Sequence, residues 1–316
     1  MKQEFLKSLK NKLVELNLPR NEVEEIIADH EEMIDQAIEL GLDEEKIEEK
    51  FGKPEDIAMA LKEDFYEVDE VEKEQGYRLY KSFYPSGEKI EIHSNLVNAT
   101  FNVLVTKVEQ VELHVKNFDD EEKYEISFIS DKLVVKNKKK FSRGTFNKTT
   151  KFKVYVPAYL EISTLSSNTV NGKIYVKGCN SNNLDVQSVN GNIHVKKCND
   201  QTTKITTING KINLGMHTTK DMYVSVVSGD GTIKNVTVDG DVAIKSVSGD
   251  INLKDFTCDK LNFNTVSGDL QGKEAYPNTV AFRSISGDVH FKNKRKDKKI
   301  IISKKKSLSG DINIES

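Results

Sequence analysis

Five aspartates, Asp230, Asp250, Asp269, Asp288 and Asp311, each follow a glycine at a near-constant interval. Carboxylates at one regular spacing could gather oxygen ligands for Ca²⁺. The same position earlier in the chain holds Lys173, Asn192 and Lys211, so the row is broken. Aspartate after glycine also suits a solvated turn. The turn is the preferred reading, and no metal or cofactor is expected. The six histidines (His30, His93, His114, His194, His217 and His290) stand singly. Gly229-Asp230-Gly231 is only a fragment of a dinucleotide fingerprint. Gly-x-Ser-x-Gly, P-loop, His-Glu-x-x-His and Cys-x-x-Cys patterns are absent, so no catalytic residue is expected.

Positive charge is more concentrated. Lysines 136, 138, 139 and 140 form one run. Lys292-Asn293-Lys294-Arg295-Lys296-Asp297-Lys298-Lys299 forms another, followed by Lys304-Lys305-Lys306. The candidate anion-binding residues are therefore Lys138, Lys139, Lys140, Lys294, Arg295, Lys296, Lys298 and Lys299. An anionic envelope polymer or lipid headgroups fit such runs. Nucleic acid is disfavoured, because the net charge is −3 and no recognition motif accompanies them. The lysines around Ile300-Ile301-Ile302 also read as protection of an exposed strand edge.

The elements that would carry these groups are repeats. Val/Ile/Leu, Asn or Ser, then Gly recurs at Gly172, Gly191, Gly210, Gly229, Gly249, Gly268, Gly287 and Gly310, with intervals of 19, 19, 19, 20, 19, 19 and 23. Apolar residues alternate around each glycine, as Val242, Ile244, Val247, Ile251 and Leu253 do around Gly249. Period-2 alternation means strands with one buried face, and one such unit cannot bury its face alone. Stacked units can. The spacing predicts a single-stranded β-solenoid with about 19 residues per coil, with the motif valines inside, Asn or Ser at the bend and Asp beyond it. Glycine there provides a positive φ or close backbone approach. A further inward column, twelve residues before each glycine, would read Cys179, Cys198, His217, Thr237, Phe256 and Ala275. Cys179 and Cys198 then sit on adjacent coils as a pair of thiols or a disulfide, with Cys258 unpaired. The last coil leaves an edge for homodimerisation.

The first quarter reads as helices. Phe5, Leu6, Leu9, Leu13 and Leu16 recur at helical spacing up to Pro19. Asn21 and Glu24 suit a capping box ahead of Val23, Ile26, Ile27, His30, Ile34, Ala37 and Ile38, and Gly41 stops that helix. His30 reads as a packed boundary histidine. Asp43 caps a short helix with Ile47 and Phe51 that Gly52 ends, and Pro54 opens a last one with Ile57, Ala58, Leu61 and Phe65. The expected fold class is α+β as separate domains: a helical bundle at 1–66, a linker at 67–76 and a β-solenoid at 77–316. Irregular early coils span 77–165 and regular repeats 166–316. Charge divides along the same line. Residues 1–76 hold 24 acidic and 10 basic residues, a balance of −14, and the remainder carries +11. The acidic face suits a basic protein partner.

Two resemblances follow. Phe5-Leu6…Leu9…Leu13…Leu16-x-Leu18-Pro19 with Phe51-Gly52-x-Pro54-Glu55-x-Ile57-Ala58 resembles the HAAS signalling domain, which implies a role beside PadR-type transcription regulators. The in-phase Val-Ser-Gly-Asp-Ile/Leu/Val repeat after Val154-x-Val156-Pro157 is similar to a bacterial adhesin β-solenoid family that includes daptomycin-sensing surface proteins. Together they imply a non-enzymatic binding or scaffold protein in cell-envelope sensing or adhesion. The alternatives are a β-helix carbohydrate-active enzyme and a cytoplasmic regulatory partner of a PadR-type factor. No segment reaches the roughly 20 apolar residues of a membrane span, and no leader is evident at Met1, so the default compartment is the cytoplasm. The resemblance implies cell-surface association instead.

Overall fold

A computed structural model describes residues 2–15, 20–39, 41–58, 76–119, 121–138 and 149–315. Contacts divide the chain into two units, Met1–Gln75 and Gly76–Ser316.

In the first unit, α1 (Lys2–Glu15) and α2 (Arg20–Glu39) pack Phe5, Leu6, Leu9 and Leu13 against Val23, Ile26 and Ile34. Gly41, at φ +97°, ends α2. Its N–H bonds to Ile38 O and that of Leu42 to Ala37 O, the paired bonds of a glycine C-cap. Asp43 accepts from the Glu45 N–H at 3.2 Å and opens a 3₁₀ turn that runs into α3 (Ile47–Phe51). Residues 54–58 are helical and bury Ala58. Leu16, Pro19, Leu61 and Phe65 lie outside the described residues.

The second unit is a β-solenoid. Strands β8 (Glu161–Thr169), β10 (Asn180–Ser188) and β12 (Asn199–Thr207) pair in parallel and in register, each 19 residues after the last. On the next face β9 (Ile174–Lys177), β11 (Ile193–Lys196) and the start of β13 (Ile212–Val226) do the same. The pattern continues to β19 (Ile301–Lys306) and β20 (Ile312–Glu315). Leu184, Val186, Ile193 and Val195 of one coil stack on the matching residues of the next, giving one continuous interior.

The early strands do not simply precede the array in space. β2 (Lys89–Leu96) pairs in parallel with both β6 (Lys132–Asn137) and β8, and β3 (Ala99–Thr106) with both β7 (Thr150–Pro157) and β9. The coil at 89–106 is therefore an inner rung, and β6 and β7 belong to the rung outside it. β4 (Val111–Lys116) runs antiparallel to β7, β1 (Arg78–Phe83) antiparallel to β4, and β5 (Tyr124–Ile129) antiparallel to β6, covering that end.

Two interior assignments need correction. The motif residues Val247, Val266 and Ile285 stack as expected, but they point outward: Val247 is 43% exposed and Ile285 52%. Counting by twos carries through Val242 and Ile244 to Ser246, which is buried. Two residues then turn outside, and burial resumes at Gly249. Thr237 is likewise exposed, and Val236 takes its place between His217 and Phe256. Thr219 pairs with Val238, 19 residues on, but Met222 with Val242, 20 on. The extra residue of that coil thus lies between Val238 and Val242, after the column rather than before it.

Candidate binding surface

The glycine corner is built by three kinds of bond. Each glycine packs on the previous rung so closely that a Cβ on Gly229 would lie 1.9 Å from Gly210 O. None of these glycines has a positive φ, so close approach alone selects the residue. A buried hydroxyl three residues earlier accepts the glycine N–H: Ser188 for Gly191 at 2.8 Å, Thr207 for Gly210 at 3.0 Å, Ser246 for Gly249 at 3.0 Å. This Ser/Thr is visible in the sequence as part of the repeat, and sequence reasoning missed it. In the Gly229 coil Val226 stands there. Outside, amide side chains form a ladder: Asn171 Nδ2 donates to Asn98 Oδ1 at 2.5 Å, Asn190 to Asn171 at 2.7 Å and Asn209 to Asn190 at 2.8 Å, with Ser228 Oγ donating to Asn209 Oδ1 at 2.7 Å. Asn98 shows that Val97-Asn98-Ala99 is one more copy of the motif, 73 residues before its neighbour in space.

The aspartate row is explained by the same stacking. Asp250 Oδ1 accepts the Asp269 N–H and Asp269 Oδ1 the Asp288 N–H, both at 2.8 Å, and Asp288 Oδ1 accepts that of Asp311 at 2.7 Å. Each carboxylate caps the next rung. Among the described residues no cluster of three or more His, Cys, Asp or Glu could hold a metal ion.

The basic runs are far apart. Lys138 follows β6 on the outermost rung, and Lys139 and Lys140 lie outside the described residues. Lys294, Arg295, Lys296, Lys298 and Lys299 are all exposed on the loop between β18 (Val289–Lys292) and β19. At roughly 4.8 Å per rung, about 40 Å separates them from Lys138. Within the loop Arg295 pairs with Asp297 at 2.9 Å, which holds the guanidinium pKa up and the carboxyl pKa down.

At the opposite corner the interior is polar. Ser181 Oγ donates to Asp200 Oδ1, Thr203 Oγ1 lies 2.8 Å from His217 Nε2 and 3.3 Å from Asp200 Oδ2, and His217 Nε2 lies 3.5 Å from Asp200 Oδ2. Both the Asp200 and His217 side chains are fully buried. Burial lifts the Asp200 carboxyl to about 7, against the pull of its hydroxyl donors, and lowers His217 to about 4. Thr203 Oγ1 donates to Asp200 Oδ2 and therefore accepts from the Nε2–H of a neutral His217. His217 Nδ1 then has no partner among the described residues. Cys179 and Cys198 are free thiols stacked below His217. The hydrogen bond to Cys198 and burial raise the pKa of Cys179, and burial lifts that of Cys258 to about 12. A network sealed this fully cannot touch a substrate.

The helical unit carries a cavity of about 370 Å³ with Glu4, Glu44, Glu45 and Glu48 at its walls and Phe5 and Ile47 in its lining. No helix among the described residues is long and apolar enough to cross a membrane.

Helices followed by in-register parallel rungs define a protein with a helical module and a β-solenoid. The solenoid matches the family model Toastrack DUF4097 over residues 87–316, and the chain belongs to that family. Residues 4–60 match the HAAS domain. No curated protein matches the chain. Among solved structures, a "putative lipid binding protein" from Parabacteroides distasonis has a TM-score of 0.56 at 17% identity, over 77% of this chain and 98% of its own. A "putative adhesin" from Bacteroides fragilis has 0.43 at 17% identity over 75% and 96%, and one from Parabacteroides merdae 0.48 at 12% over 77% and 98%. At 17% identity the likeness to the Parabacteroides distasonis protein describes the fold alone.

Proposed function

We propose that this chain is a non-enzymatic binding and scaffold protein of the bacterial cell envelope. The solenoid presents its basic loop to an anionic polymer or lipid headgroup, and the acidic helical unit docks a basic protein segment. The carrying observation is the loop at 294–299: five exposed cations on one turn, with a single aspartate among them. The acidic cavity around Phe5 and Ile47 supports the docking half, since carboxylate walls over an apolar lining complement a lysine or arginine stem.

The test is co-sedimentation of the full chain with phosphatidylglycerol and phosphatidylcholine vesicles, and retention on immobilised lipoteichoic acid. Each cation near an anionic surface contributes about 1 kcal/mol. Replacing Lys294, Arg295, Lys296, Lys298 and Lys299 by serine should weaken binding to the anionic surface at least tenfold, and added salt should do the same. Equal binding to phosphatidylcholine, or an unaffected variant, rejects the basic loop as the contact.

A further inference from the structure

The outward-facing motif residues form one unbroken apolar ridge. Val97, Val170, Val189, Ile208, Val227, Val247, Val266, Ile285 and Leu308 occupy consecutive rungs, tied by backbone bonds such as Asn171 N to Val97 O, Asn190 N to Val170 O and Ser228 N to Ile208 O. Eight of the nine are 36–86% exposed, and Val189 is half-buried. The ridge runs roughly 38 Å at the usual interstrand spacing. It exposes on the order of 600 Å² of apolar surface, at the upper end of what a monomer ordinarily shows.

We propose that this ridge is the interface between two copies of the chain, packed antiparallel about a two-fold axis at Val227. Three observations choose this occupant. Rows of side chains at a fixed rise interdigitate along their whole length only with a partner of the same rise, and a second copy has it. Two copies would cover on the order of 1,200 Å², the lower bound of a specific interface. Charge completes the match. Beside the ridge, the position after each glycine is Lys173, Asn192 and Lys211 in the first half, then Asp230, Asp250, Asp269, Asp288 and Asp311. Val227 is the middle rung of nine, so a two-fold there sets Lys211 against Asp250 of the second copy and Lys173 against Asp288, four opposite-charge pairs by symmetry against one like pair, Asp230 with Asp230, at the axis. The same acidic row is repelled by an anionic bilayer, which argues against a lipid occupant.

The test uses the full chain. Light scattering should give twice the 35.7 kDa chain mass at tens of micromolar. Val227→Lys with Val247→Lys should weaken association at least tenfold with an unchanged circular dichroism melt, because both side chains are exposed. Cysteine scanning reads the arrangement, since the native thiols are buried. Under copper–phenanthroline oxidation, Val227→Cys should cross-link to itself. Val170→Cys should cross-link only when combined with Ile285→Cys. A monomer at these concentrations, or a dimer that survives the double lysine variant, overturns the ridge as an interface. Self-cross-linking of Val170→Cys alone overturns the antiparallel arrangement.

Discussion

Every coil of the regular array turns at two corners, and the two solve the turn in opposite ways. At the first corner the residue is always glycine, yet its φ is never positive. At the second, Gly178, Lys197, Met216, Asn235, Asp255 and Glu274 all sit in the left-handed region, with φ from 49° to 73°, and only one is glycine. The difference separates the two uses of glycine. One corner has no room for a Cβ, whatever the dihedral. The other demands a dihedral that glycine finds easiest, and tolerates side chains because there is space for them.

The largest effect should come from breaking the first corner. Gly229→Ala places a methyl 1.9 Å from Gly210 O, which is backbone and cannot step aside. The rungs must part and lose ladder hydrogen bonds on both sides. We expect a loss of about 3 kcal/mol or more in urea unfolding. Gly178→Ala is the counterpart: its nearest atom is 3.5 Å away, so only its φ of +73° is strained, a cost of about 1 kcal/mol. Equal losses at the two positions would mean that space and dihedral do not distinguish the corners.

The same contrast explains what the sequence made legible. Absence of space permits one residue type, so the glycine corner repeats visibly, and the solenoid could be read from its spacing. The second corner is filled by side chains of varied size. Cysteine, histidine, valine, phenylalanine and alanine share one column there, and no residue type marks it. Thr237 was therefore placed where Val236 belongs. The outward valines were misread because alternation was counted straight through a turn that consumes two residues. The copy of the motif on the inner rung was missed because Ala99 stands in for glycine and its neighbour in space lies 73 positions further along the chain. Asp200 and His217 lie 17 apart and meet only through stacking. An aspartate 19 residues after Ser181 was nevertheless a visible signal of a buried carboxyl in register with it.

The second corner's polar interior gives the next effect. Asp200 has a folded pKa of about 7 against an ordinary 3.8, so the folded state holds the extra proton, and its contribution to stability falls as pH rises from about 4 to 7. His217 has a folded pKa of about 4 against 6.5. The unfolded state there binds the extra proton, and stability rises over about 4 to 6.5. The two slopes oppose each other and nearly cancel. Asp200→Asn keeps an oxygen for Ser181 and removes the falling slope. Its stability should then climb with pH, by roughly 3 kcal/mol between pH 4 and 6.5. Urea midpoints across that range decide it, and a flat profile in the variant would show that His217 is not held neutral.

The smallest effect has the opposite sign. Met216 holds a φ of +49° directly before His217, and its side chain is 41% exposed, so little packing is at stake. A left-handed non-glycine residue costs about 1–2 kcal/mol in the folded state. Glycine removes that cost but adds about 0.5–1 kcal/mol of unfolded-chain entropy to be lost on folding. Met216→Gly should therefore stabilise by about 0.5 kcal/mol, seen as a higher urea midpoint with an unchanged slope. The test is sharp because it reverses the logic of Gly229→Ala: adding a methyl at one corner is ruinous, and removing a whole side chain at the other is a gain. If Met216→Gly destabilises instead, the exposed methionine must be packing along the stack of its column. The second corner would then also be held by rung-to-rung contact, and the two corners would differ in degree rather than in kind.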